Sequence, residues 1–318
     1  MSDYRSSTAA RRQSWFGLKQ FVKVAASYPL PHAALRAASR VVPSLRSGRL
    51  PAPKGLAEVT GVIDGATFTM LRPDRCENAK ELYWGNGRRP KAADAFTFEV
   101  FAKLVRDAAV FVDVGAYTGL FSLAATALDP KLVAHAFEIV PAVAVLLEEN
   151  ARRNGVSERL FVHREGIGAP GATMVVPAGS GGSALPSFYS SRMHFDSGER
   201  VSFRSLDSLD ALIGGDDQRV VVKIDVEGTE DDVLSNGRTF LAERGPDIVC
   251  EVLHDRADVT ALNDVLLPLG YNFYLLREHD LYHRASLLGH PRYRDWLLTR
   301  MDAGALHGRG IDRIAGAR

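Results

Sequence analysis

The sequence predicts an α/β fold, a mostly parallel sheet with helices on both faces, and three observations carry that expectation. Short apolar runs recur as AVFVDVG, LVAHAFEI, LFVHREGI, VVVKIDV and DIVCEVL, and helical patterns follow most of them. Strand and helix alternating at this spacing is the mark of parallel strands joined by helical crossovers. The first run also closes on a glycine turn that opens a helix. Finally, 318 residues of which 46% are hydrophobic can fill a sizeable core.

Taken in order, the chain begins with a basic arm. Between Met1 and Thr60 the basic residues are Arg5, Arg11, Arg12, Lys19, Lys23, Arg36, Arg40, Arg46, Arg49 and Lys54, against Asp3 and Glu58. The pattern from Ser14 to about Val42 is patchily helical, broken at Pro29 and Pro31, and Pro43, Pro51 and Pro53 mark a linker. The arm, residues 1–56, is a candidate contact for a homodimer. Residues 57–92 read as a hairpin turning at Asp64-Gly65, then the basic turn GNGRRPKAAD, taken as solvated. The main domain spans 93–318 and opens with a helix, Ala93 to Arg106, striped by Phe96, Val100, Phe101 and Leu104. Helices GLFSLAATAL and Pro141 to Asn154 follow the first two strands, with Pro141 suited to a first turn. Residues 168–204 interrupt the rhythm with a short strand at TMVVP and a long loop. In that loop Phe188, Tyr189, Met193 and Phe195 suggest a lid hinged at GSGGS. YNFYLL and LYHRASLL read as a terminal strand pair, and HPRYRDWLLTRM as a last helix.

Cys76 and Cys250 are the only cysteines, too few for a disulfide scaffold or a zinc cluster. No run reaches the 18 or so apolar residues of a membrane span, and Lys19, Lys23 and Pro29 interrupt the best signal-peptide candidate. Cytoplasm is the default location. The net charge of +1 gives no case for nucleic acid as a partner.

The candidate site grows out of the strand ends. Asp113 ends the first strand, Gly115 sits in the turn and Gly119 near the helix start. This is neither the GxGxxG of a dinucleotide site nor a phosphate-binding GxxxxGK[ST]. An acid ahead of such a turn suits a ligand with an ammonium group and no phosphate. Glu138 ends the second strand, 25 positions on, where an acid can take both hydroxyls of a ribose. Glu165, Gly166 and Ile167 close the third, a polar residue beside an apolar one that suits an adenine edge and face. Ammonium-facing acid, ribose acid and adenine slot, in that order, describe S-adenosylmethionine.

With those residues in view, the sequence resembles the FkbM-type methyltransferases, S-adenosylmethionine-dependent enzymes of the class I, seven-stranded Rossmann-like fold. The likeness runs from about Ala93 to Leu253. The family turn Asp-x-Gly-Ala-x-x-Gly is present as Asp113, Gly115, Ala116 and Gly119, with Tyr117-Thr118 in the middle where Asn-Ile or Asn-x is usual. Glu138 matches the second-strand acid, and Asn150 and Asn154-Gly155 match the end of the following helix. Lys-x-Asp-x-Glu-Gly-x-Glu appears as Lys223, Asp225, Glu227, Gly228 and Glu230, and Glu251 matches a final strand motif. The resemblance implies O-methylation of a small hydroxylated metabolite such as a sugar, glycoside or polyketide of secondary metabolism. The cofactor set is then Asp113, Gly115, Ala116, Tyr117, Gly119, Glu138, Glu165, Gly166, Ile167 and Asp225.

Asp225, Glu227 and Glu230 could instead hold magnesium or calcium. Strand alternation puts Lys223 on the side of Asp225 and Glu227, where it neutralises one of them. Separate roles are therefore preferred to a metal, magnesium being the alternative. Asp225 is the first candidate for contact with the acceptor hydroxyl and His254 the second, with Glu227, Glu251 and His194 as further bases. Rival readings are a nicotinamide-dependent oxidoreductase, which would want more glycines, and a non-catalytic module keeping the fold. A nucleic-acid methyltransferase would often show Asn/Asp-Pro-Pro-Tyr where this chain has Asp225-Val226-Glu227-Gly228.

Overall fold

A computed structural model describes residues 27–41, 50–177, 194–215 and 218–316. The expected hinge at GSGGS, the lid aromatics Phe188, Tyr189 and Met193, and the arm before residue 27 lie outside them. Helix α1 (Pro29–Val41) starts at the prolines that were expected to break it, since a helix's first turn leaves its amides unpaired anyway. Strands β1 (Glu58–Ile63) and β2 (Ala66–Leu71) form the expected hairpin, with Ile63 opposite Ala66. Asp64 and Gly65 supply the two positive φ angles, +43° and +86°, that such a two-residue turn requires. The hairpin does not stand apart: Val59, Phe68 and Met70 pack into the same core as Phe98, Phe101 and Leu123.

Next come α2 (Glu77–Trp84), α3 (Ala92–Val105), β3 (Val110–Val114), α4 (Leu120–Leu128), β4 (Val133–Phe137), α5 (Pro141–Arg153) and β5 (Leu160–His163). A small sheet of β6 (Gly166–Ile167), β7 (Thr173–Val176) and β8 (Glu199–Arg204) follows, then the one-turn α6 (Asp210–Ile213). The chain continues with β9 (Val220–Ile224), α7 (Glu230–Ser235), α8 (Arg238–Arg244), β10 (Asp247–Glu251) and α9 (Val259–Leu266). It ends with β11 (Asn272–Leu276), β12 (Leu281–Arg284), β13 (Asp295–Thr299), α10 (Ala303–Gly308) and β14 (Ile314–Gly316).

The main sheet has nine strands in the order β14-β12-β11-β13-β10-β9-β3-β4-β5. The seven from β11 to β5 are the class I methyltransferase arrangement: β10, β9, β3, β4 and β5 run parallel, and β13 is antiparallel between β10 and β11. Strands β12 and β14 extend it past the expected seven. The segment expected as a last helix is β13. Trp296, Leu297, Leu298 and Thr299 are all buried, and a short run apolar on both faces has no period with which to tell strand from helix. Two apolar clusters cover the two faces of the sheet.

Strand order reverses between β3 and β9, and in open α/β sheets the ligand crevice lies there, at the carboxyl ends. The turns that form this crevice are tied together. The amides of Gly115 and Ala116 donate to Phe137 O, and that of Asp225 donates to Val114 O. Fully buried Asn150 holds the next layer: its side chain accepts from Leu71 N at 2.8 Å and donates to Thr118 O at 2.9 Å. Asn154 repeats the pattern on both backbone groups of Thr69. Replacing Asn150 with Ala strands a buried donor and a buried acceptor, which costs about 1–3 kcal/mol for each group left unpaired. Urea unfolding of N150A is expected to show a lowered midpoint with the slope unchanged.

Candidate active site

The crevice is a cleft of about 350 Å³ over the ends of β3, β4, β9 and β10, walled on one side by α2. The glycine turn forms its floor. Gly115 has φ +78°, and a Cβ there would stand 2.0 Å from Asp225 O, so only glycine lets the first and fourth strand ends approach this closely. Tyr117 also adopts a positive φ, +50°, and lines the cleft. Strain of this kind in a non-glycine residue concentrates at functional sites.

Glu138 lines the cleft just past β4. Its two carboxylate oxygens accept from Tyr117 N at 2.9 Å and Val140 N at 2.7 Å, which fixes the group while leaving lone pairs for a ligand. Burial pushes its pKa up to about 7. Glu165, Gly166 and Ile167 line the same cleft, as expected. Asp113 does not. It is buried beneath the turn, where Ser122 Oγ donates to it at 2.6 Å and burial raises its pKa to about 6. Ala116 and Gly119 likewise shape the turn from behind; Gly119, φ +86°, precedes α4 and packs on Leu147.

At the other end of the cleft stand Asp225, Glu227 and Glu251, with oxygens within 4.8 Å of one another. Glu251 is adjacent to Asp225 because β10 pairs with β9 in register, Cys250 beside Ile224. Lys223, buried on the same side, reaches Asp225 Oδ2 at 3.4 Å and lies 5.3 Å from the Phe121 ring centre. Burial alone would lower the Lys223 pKa, but Asp225, Asp295, Glu251 and Asp113 hold it above its ordinary value. Burial would likewise raise Asp225; Lys223 and a hydrogen bond with Glu251 keep it low. Glu251 is driven well up by Asp225 first and by burial second. The pair therefore holds one proton, on Glu251, and one charge, on Asp225. Glu227 is raised by burial and by Asp225, reaches Arg256 at 3.7 Å, and sits at φ +58° ahead of Gly228. Glu230 and Asp231 open α7 as expected; Glu230 is fully buried and accepts from Gly228 N at 2.9 Å.

The other two expected bases stand elsewhere. His254 is half exposed, 3.8 Å from Asp255 and beside Gly289, and it does not line the cleft. His194 is exposed and does not line it either. Three groups that line it were not anticipated. Glu81 projects from α2, paired with Arg89 at 3.1 Å and Lys91 at 3.5 Å, and Arg294 comes from the loop before β13. The basic turn expected to be solvated thus buries Arg89 in an ion-paired wall. A signal existed in Glu77 and Glu81, one helical turn apart and followed by a run of cations.

Sheet order, glycine turn and strand-end acids together define the class I Rossmann-like methyltransferase type. The Methyltransferase FkbM domain family matches residues 113–273, half of the chain, and the chain belongs to that family. Among solved structures it resembles the FkbM methyltransferase from Methylobacillus flagellatus KT at 21% identity and a TM-score of 0.41, over 61% of this chain and 44% of that one. A SAM-dependent O-methyltransferase from Thermotoga maritima aligns at 12% identity over 65% of each chain, TM-score 0.34. An rRNA methylase from Streptococcus thermophilus aligns at 10% identity over 66% of this chain and 97% of that one, TM-score 0.39. The match thus spans less than half of the first of these chains. No curated protein matches the sequence.

Proposed function

We propose that the protein methylates a hydroxyl group of a small molecule (a sugar, glycoside or polyketide-type metabolite) using S-adenosylmethionine. The observation that carries this is the division of the cleft. One end has a fixed acid and an adenine-sized wall; the other has a single ionised carboxylate held by a buried lysine. The residues fit the cofactor: Glu138 would take the ribose hydroxyls, Glu165 to Ile167 the adenine, and Gly115 and Tyr117 the chain leading to the sulfonium. When bound, that sulfonium supplies a methyl group already activated for transfer. The chain's own work is placement and proton removal. Asp225 accepts the acceptor hydroxyl's proton as the oxygen–carbon bond forms and the carbon–sulfur electrons pass to sulfur. Glu251, holding its proton, keeps Asp225 oriented by donating to it, and Lys223 supplies the positive charge that a metal would otherwise bring.

Mass spectrometry after incubation with methyl-labelled S-adenosylmethionine and a panel of glycosides and polyketides tests this. Label on a hydroxyl supports it; label on carbon or nitrogen overturns the O-transfer reading. Turnover is expected to persist undiminished in EDTA. Abolition by chelation, restored by magnesium, would make Asp225, Glu227 and Glu251 a metal site.

Glu138 also makes a pH prediction. A ribose diol is held better by the ionised carboxylate, so affinity for S-adenosylhomocysteine is expected to fall as pH drops through about 7. Without ligand the sign reverses. A carboxyl whose folded pKa is raised binds more protons folded than unfolded, so its burial increasingly destabilises the protein as pH climbs from about 4.5 to about 7. The stability gap between E138Q and wild type should therefore grow in favour of E138Q across that window, measured by urea unfolding.

A further inference from the structure

A second lobe of about 460 Å³ adjoins the cleft on the far side of the carboxylates. The lobes share Arg89, Lys91, Asp225, Glu251 and Arg294, so whatever fills the second meets the bound cofactor's end of the first at Asp225. The remaining wall comes from α3, from Leu276 at the end of β11, and from the loop carrying Arg292, Tyr293 and Arg294. Its floor and its rim differ in character. On the floor the acids already have partners: Asp225 has Lys223, Asp295 accepts from Thr97 Oγ1 at 2.7 Å, and Asp94 has Arg89 at 3.0 Å. On the rim stand three long cations whose side chains are mostly in solvent, Lys91 at 60%, Arg292 at 67% and Arg294 at 58%. The single rim acid is Glu278, paired with Arg292. Exposed pairs of that kind hold their partners weakly. Arg294 reaches its carboxyl partner, Glu251, only at 3.6 Å. Five cations and five carboxyls line the lobe. Because Glu251 keeps its proton, the balance is positive, and the excess faces the opening.

Resting on the methyl-transfer reading of the adjoining cleft, we infer that this lobe is the acceptor site and takes a hydroxylated molecule that also bears a carboxylate or phosphate. The hydroxyl points to Asp225 on the floor. The anionic group stays at the rim, where Arg292 and Arg294 bind it with charge-assisted hydrogen bonds and Tyr293 flanks it. Lys91, anchored at 3.3 Å to Asp94, adds a third positive charge at the mouth.

Calorimetry with the full chain saturated in S-adenosylhomocysteine tests this. The titrants are two anionic arms, glucose 6-phosphate and glycerol phosphate against glucuronate and glycerate, and the neutral methyl glucoside and glycerol. At least one anionic compound is expected to bind roughly tenfold more tightly than its neutral counterpart, weakening with salt, and the stronger arm identifies phosphate or carboxylate. Arg292→Gln and Arg294→Gln should each reduce that binding about tenfold. R292Q, which lies outside the cofactor cleft, should keep wild-type affinity for S-adenosylhomocysteine. Equal binding of neutral and anionic compounds, no anion binding at all, or anion binding untouched by both substitutions overturns the inference. If the wild type fails to bind S-adenosylhomocysteine, the methyl-transfer reading itself falls; retained cofactor binding beside an anion-indifferent lobe removes the acceptor inference alone.

Discussion

Asp225→Asn is expected to abolish most turnover while leaving cofactor binding in place. The substitution keeps shape and hydrogen-bonding capacity but removes the one ionised oxygen of the Asp225–Glu251 pair. A positioned general base contributes roughly 10²- to 10⁴-fold, and the loss of kcat should fall in that range. S-adenosylhomocysteine binding, measured by calorimetry, is expected to shift only slightly, because Glu138 and Glu165 to Ile167 are undisturbed. Glu251→Gln provides the contrast. It retains a donor toward Asp225, so its turnover should fall much less than that of D225N. If D225N retains full activity, another group removes the proton.

Lys223→Met is expected to have the largest effect on stability. Lys223 is buried among Asp113, Asp225, Glu251 and Asp295, and its ammonium is what allows Asp225 to stay ionised there. Removing one member of a buried ion pair leaves an uncompensated charge and costs about 3–5 kcal/mol. Part of that cost is avoided if Asp225 takes up a proton, and turnover then requires a higher pH. The sign of the stability change follows from the shifts. Asp225's pKa is lowered in the folded protein, so its contribution is present above its unfolded value and lost as pH falls through the folded one. The raised Lys223 contributes at every pH below its unfolded value and loses this only in strong alkali. Urea unfolding of wild type and K223M should therefore show a wide gap near neutrality that narrows in acid, and the pH–rate profile of K223M should move upward. An unchanged profile would mean that Asp225 does not depend on Lys223.

Much of this was legible in the sequence because local pattern and tertiary role coincide. The hairpin declared itself through Asp64-Gly65, and the parallel strands through short apolar runs each closing on an acid or glycine. The acids Glu138, Glu165 and Asp225 stood at strand ends, the places where this sheet type exposes side chains to a crevice. Asp113 shows the limit of that logic. Position at a strand end does not say whether a carboxylate points into the crevice or under the turn, and Ser122, one helical turn into α4, draws it under. The stretch from Arg292 to Thr299 failed for a different reason. A strand inserted antiparallel between two others is apolar on both faces and carries no period, so helix and strand look alike. Arg89 was misread because its burial depends on Glu81 and Asp94, partners on two separate helices. Only the folded chain brings those charges together.

The most direct test of the account is calorimetric titration of the wild-type chain with S-adenosylhomocysteine and, separately, with NAD, each repeated on E138Q. The account predicts saturable one-to-one binding of S-adenosylhomocysteine, markedly weakened in E138Q, and no binding of NAD. Binding of NAD with none of S-adenosylhomocysteine would contradict it.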